Sequence, residues 1–201
     1  MKDEDRISTF FLQGGKYAIN DNEFNSITSP ISNSMKYFLW LPDMVVLNYI
    51  LQNSEIFKNA TFLDYGAGLG WLVFLLNAHG FKCYYYDIFS QIKKDLAEYA
   101  IKSLGIEEWV ISPVEVRDKK QVIQDSKVKF PENIDVVISL GIGNYVANTG
   151  VFENAAWVIY NTKNGSMVKV INGLRPGEEV AKIPILGRKD HVIVRRVHDN
   201  N

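Results

Sequence analysis

Five residues of this chain combine types and spacing that suit chemistry on a small ligand: Asp64, Gly66, Gly68 and Gly70 in the run Asp-Tyr-Gly-Ala-Gly-Leu-Gly, and Asp87 at the end of Tyr-Tyr-Tyr-Asp. Glycine takes positive φ without the roughly 1–2 kcal/mol that a β-carbon costs, and its missing side chain lets a ligand reach the backbone. The run lies where an apolar stretch, Thr61–Tyr65, gives way to a helical pattern over Leu69–Ala78. Free amides and the positive end of the helix dipole face a ligand at such a junction. Asp87 stands twenty-one residues after Gly66, close to the separation of about 20 at which an acidic residue meets a ribose in nucleotide-binding βαβ units. A carboxylate accepts from both ribose hydroxyls, and each bond to a charged acceptor contributes about 1.5–3 kcal/mol. A nucleoside with an anionic carboxylate tail suits the site.

These residues need a scaffold, and from residue 61 onward short β-rich runs alternate with longer amphipathic ones, the mark of βαβ units around a largely parallel sheet. Strands are expected at Thr61–Tyr65, Lys82–Phe89, within Trp109–Val116, at Ile134–Leu140 and at Ser166–Ile171. Ile183–Leu186 and His191–Val197 flank a four-residue connection suited to an antiparallel hairpin. Helices are expected over Pro42–Gln52, Leu69–Ala78 with Gly80 as the stop, Gln91–Leu104 and Phe152–Asn161. The fold class is therefore α/β, a mostly parallel sheet with helices on both faces and a C-terminal antiparallel hairpin.

A chain of 201 residues, 47% of them apolar, fits one domain with a full core. Residues 61–197 form its α/β part, and residues 1–60, rich in Ser, Asn, Gly and aromatics, read as an N-terminal extension. Within it, residues 10–41 join Phe10, Phe11, Tyr17, Tyr37, Phe38 and Trp40 to Gly14-Gly15, a composition that suits a mobile lid as well as plain packing. The net charge of −1 favours no nucleic acid, and the absence of a signal-peptide pattern or a membrane-length apolar run predicts a cytoplasmic protein with no membrane partner. The single cysteine, Cys83, sits in an expected strand and reads as packing; it excludes an intrachain disulfide, and the dispersed histidines give no metal site.

With the loop, the spaced acid, the Asp135–Leu140 strand and the final hairpin, residues 60–197 resemble the class I, Rossmann-like S-adenosylmethionine-dependent methyltransferases. The resemblance implies S-adenosylmethionine as cofactor. It implies that Asp64 and the glycines hold the methionine end and Asp87 the ribose, with Ala67, Ile88, Leu140 and Gly141 alongside. The adenine-contacting acid of that family falls on Asp118 if Val114–Val116 closes the third strand. The competing dinucleotide fingerprint wants a third glycine where this chain has Trp71, whose indole would block close helix-to-strand packing. A purely structural glycine turn is the remaining reading of the loop.

Ligands of open α/β sheets lie beyond the carboxyl ends of the strands, which selects Asn144 and Tyr145 after the fourth expected strand, and Asn172 and Arg175 after the fifth. Asn144, Tyr145 and Arg175 are the candidates for substrate binding; turn hydrogen bonds explain such residues equally well. No side chain declares itself a catalytic base, because His79 sits at a helix end and His191 and His198 flank the last strand. The fourth-strand loop lacks the Asn/Asp-Pro-Pro-Tyr pattern of amino methyltransferases for nucleobases. The resemblance thus points to methylation of a small molecule or glycan precursor. The alternatives are a non-catalytic cofactor-binding module or partner subunit, and an α/β interaction domain with no nucleoside ligand.

Overall fold

Runs of β-branched and aromatic residues between glycine punctuation dictate the strands. The computed structural model describes residues 40–87, 98, 100–111, 128–140, 150–162, 173, 176–185 and 189–197. By internal contacts the chain divides into Met1–Phe38 and Leu39–Asn201, and every described residue lies in the second unit. In chain order the elements are helices α1 (Trp40–Gln52) and α2 (Ser54–Phe57), strand β1 (Thr61–Tyr65), helix α3 (Trp71–Ala78) and strand β2 (Lys82–Tyr86). A helical stretch at 100–104 and a 3-10 turn, Glu107–Trp109, follow. Strand β3 (Val136–Ser139), helix α4 (Gly150–Asn154) and strands β4 (Trp157–Asn161), β5 (Gly177–Pro184) and β6 (His191–Val197) complete them.

The strands form one sheet in the order β2-β1-β3-β4-β6-β5. The first four are parallel, while β6 runs antiparallel to both β4 and β5. The expected class, with its C-terminal antiparallel pair, is the observed one. A parallel bridge between Val110 and Tyr85 extends the sheet beyond β2, which is as much of the expected third strand as the described residues contain.

Alternation along the strands sorts the core into two layers. On one face Phe57 of α2 packs its ring 5.9 Å from Phe62 and 5.4 Å from Trp157, and α1 and α3 bury Val46, Ile50, Leu72, Val73 and Leu76. On the other, Phe152 of α4 meets Tyr65 at 5.1 Å within a cluster that includes Leu63, Val137, Val158 and Ile193. Helix α3 stops as expected: Gly80 takes φ +84, its N–H reaches Asn77 O, and Phe81 N–H reaches Leu76 O. Asn77 then ties the helix to β2, giving Nδ2 to Cys83 O at 2.9 Å and taking Cys83 N–H on Oδ1 at 3.2 Å. Among the described residues no helix is long and apolar enough to cross a membrane.

One expectation is overturned. Residues 152–161 are not one helix: α4 covers Gly150–Asn154 and so holds only the start of the expected span, and Trp157–Asn161 is β4, set between β3 and β6. The apolar spacing of the segment fits either periodicity, and two neighbouring strands with open hydrogen-bonding edges decide it. Residues 166–171, expected as the fifth strand, lie outside the described residues. The strand beside β3 is thus β4, and the residue after its carboxyl end is Thr162. The hairpin strand β5 also begins at Gly177, six residues before the expected Ile183.

Candidate functional site

The glycine loop grows directly out of the parallel pairing of β1 and β2. Asp64 lies opposite Tyr85 and Tyr65 opposite Tyr86. The ladder then continues into the loop, since Gly66 N–H and Ala67 N–H both donate to Tyr86 O, at 2.7 and 3.1 Å. Three positive φ angles turn the chain from strand into helix: +91 at Gly66, +58 at Gly68 and +82 at Gly70. Gly70 N–H closes the turn onto Ala67 O at 2.9 Å, and Gly70 O accepts from Phe74 N–H at 2.9 Å to open α3.

Gly70 suits its place on two counts. A β-carbon there would lie 2.6 Å from Ile106 Cδ1 and 3.3 Å from the Tyr85 ring, on a backbone that side-chain-bearing residues rarely adopt. Gly70→Ala should therefore cost about 1–3 kcal/mol from strain and forced displacement of Ile106. Urea unfolding measures this; an unchanged midpoint would contradict the packing described.

Asp87 stands one residue past β2, half-buried, and its Oδ2 accepts from Gly68 N–H at 2.5 Å. The acid expected to face a ribose thus also holds the loop. Asp64 is 5% exposed, on the face of β1 that carries Phe62. Burial, and after it the nearby Asp87 carboxylate, push its pKa up to about 8. Burial and then Asp64 raise that of Asp43, half-buried in the first turn of α1. Asp64 thus stands between two carboxylates, sensing that of Asp87 at the end of β2 and acting on that of Asp43 in α1. The three do not make a group that could hold a metal ion. The arrangement favours a ligand that brings positive charge and hydroxyl donors.

Sequence reasoning thus brings Asp64, Gly66, Ala67, Gly68, Gly70 and Asp87 to one place, with Leu140 following the last residue of the neighbouring β3. Ile88, Asp118, Gly141, Asn144, Tyr145, Asn172 and Arg175 lie outside the described residues, as do residues 10–39 of the expected lid. It missed Asp43, whose signal was an acid in the first turn of α1, the expected helix ahead of β1. It also missed Asn161 at the carboxyl end of β4, buried, with Nδ2 donating to Asp190 Oδ2 at 2.8 Å. His191 is bound beside it through its backbone, its N–H donating to Thr162 Oγ1 at 2.9 Å.

No family model matches the sequence, and no curated protein matches it. Solved structures do match. The chain superposes on a methyltransferase from Aquifex aeolicus described as SAM-dependent with a TM-score of 0.51 and 15% identity, covering 87% of this chain and 98% of that one. It superposes on the tRNA (uracil-54, C5)-methyltransferase of Pyrococcus abyssi, in complex with S-adenosyl-L-homocysteine, at 0.50 and 14%, covering 75% of this chain and 37% of that one. Against the METTL16 MTase domain the values are 0.50 and 13%, covering 77% and 68%. The fold is that of the class I S-adenosylmethionine-dependent methyltransferases. At these identities the likeness establishes the architecture, and the class I fold accounts for the mixed sheet with its antiparallel end. The chain spans 64, 66 and 67% of the length of two streptococcal chains and one listerial chain that it also matches.

Proposed function

We propose that the chain is an S-adenosylmethionine-dependent methyltransferase whose acceptor is a small molecule or a glycan precursor. The observation that carries this reading is the glycine loop bound to Asp87 through Gly68, with Asp64 buried beside it and its pKa raised by burial and by the Asp87 carboxylate. S-adenosylmethionine brings what such a site lacks: positive charge at the ammonium and sulfonium, a ribose diol for Asp87, and a carboxylate for amides at the start of α3. When bound, it supplies a methyl group activated for displacement by an acceptor atom. Asp64, Gly66, Ala67, Gly68, Gly70, Asp87 and Leu140 are assigned to it, with Ile88, Asp118 and Gly141 as further members. Asn144, Tyr145 and Arg175 are assigned to the acceptor. A net charge of −1 supports an acceptor other than nucleic acid.

A non-catalytic cofactor-binding subunit is the second reading, favoured because no side chain in the sequence declares itself a catalytic base. Calorimetry tests the cofactor. S-adenosylmethionine and S-adenosylhomocysteine should bind where NAD and FAD at equal concentration do not, because Trp71 occupies the place of the third dinucleotide glycine. Equal or tighter binding of NAD would overturn the assignment. Transfer of labelled methyl groups across a panel of small molecules, glycan precursors and tRNA then separates an enzyme from a binding subunit.

A further inference from the structure

Gly68 is held by both of its backbone polar groups, and both partners come from the end of β2. Its N–H donates to Asp87 Oδ2, and its C=O accepts from the Tyr85 hydroxyl at 2.7 Å. Tyr85 is fully buried, with its ring against the place where Gly70 would carry a β-carbon. We propose that Tyr85 is a positioning residue of the cofactor loop, aiming the Leu69 amide at the methionine carboxylate of S-adenosylmethionine. The inference rests on the cofactor reading above.

The geometry follows from the planarity of the peptide unit. In a trans peptide the C=O and N–H point in opposite directions, so drawing the Gly68 carbonyl down onto the phenol turns Leu69 N–H away from Tyr85. With φ +58 at Gly68, glycine's freedom would otherwise let this peptide rotate at little cost. One hydrogen bond in a buried setting replaces that freedom with a single orientation, so the amide needs no ordering when ligand arrives. Burial, the Asp87 carboxylate and the Asp64 carboxylate all hold the Tyr85 pKa well above its ordinary value, so the phenol stays a donor across the working pH range.

Tyr85→Phe keeps the ring and removes only the bond. The full-length variant, titrated with S-adenosylhomocysteine, should bind about five- to tenfold more weakly than the natural chain. Adenosine, which lacks the amino-acid tail, should bind both proteins alike. Equal affinity of the two proteins for S-adenosylhomocysteine, or equal losses for both ligands, would overturn the proposal and leave Tyr85 a packing residue. If the natural chain binds neither ligand, the cofactor reading fails and takes the proposal with it. A measurement on the natural chain does not depend on the variant folding: in amide NMR the Leu69 resonance should move on addition of S-adenosylhomocysteine and stay in place with adenosine. A Leu69 amide that responds identically to both also overturns it.

Discussion

Above about pH 8, Asp64→Asn should make the free protein more stable than the natural chain, and the advantage should shrink as pH falls toward about 4. The sign follows from a pKa raised by burial and by Asp87 from 3.8 to about 8. Below the lower value both folded and unfolded chains carry the proton. Between the two values the unfolded chain releases it while the folded chain retains it, so folding loses about 1.4 kcal/mol for each pH unit climbed. Above the upper value both are ionised and the loss is constant, of the order of several kcal/mol. Asparagine removes the titration while preserving the shape of the side chain. Urea midpoints of the two proteins, taken at intervals across that range, give the difference directly, and parallel curves would show that Asp64 is not held protonated. Affinity for the cofactor should move the other way, since the amide cannot offer a charge to an ammonium group.

The second large effect belongs to Asp87, which serves the ligand and the loop together. Asp87→Ala removes a charged acceptor for two ribose hydroxyls and also the bond to Gly68. We expect cofactor affinity to fall by about 2–4 kcal/mol, or roughly 30- to 1,000-fold in dissociation constant. The half-buried position one residue past β2 leaves the sheet intact, so thermal unfolding should change far less than binding. Asp87→Asn can still accept from Gly68 N–H through its carbonyl oxygen, and should fall between the two. Normal binding by a folded Asp87→Ala protein would remove the ribose role.

The loop, Asp64 and Asp87 were legible in the sequence because their cause is local. Apolar runs broken by glycine mark strand ends, and the spacing of the acid counts off one βαβ unit. Strand β4 was not legible. Phe152, Ala155, Ala156 and Ile159 recur at helical spacing, while the pairing that makes 157–161 a strand comes from β3 and from residues about 35 positions later. Tyr85 had no local signal either. Its bond to Gly68 exists only once the loop has folded back over β2, so the sequence showed a tyrosine in a strand and nothing of its partner. Asp43 is a third instance, its neighbour Asp64 being brought near by the packing of a helix on the sheet.

The strand order also sets a timetable for the growing chain. β6, near the end of the described sequence, lies between β4 and β5, and its pairing with β4 joins Trp157 to Arg196 and Asn161 to Val192. While a ribosome is still adding those residues, β4 presents a bare edge and β5 has no sheet to join. Contacts as distant as the one from Thr61 N–H to Asp135 Oδ2, at 2.8 Å across 74 positions, also wait on late synthesis. Closure of the sheet thus waits on the synthesis of β6, favouring slow folding and a transient need for protection of the exposed β4 edge.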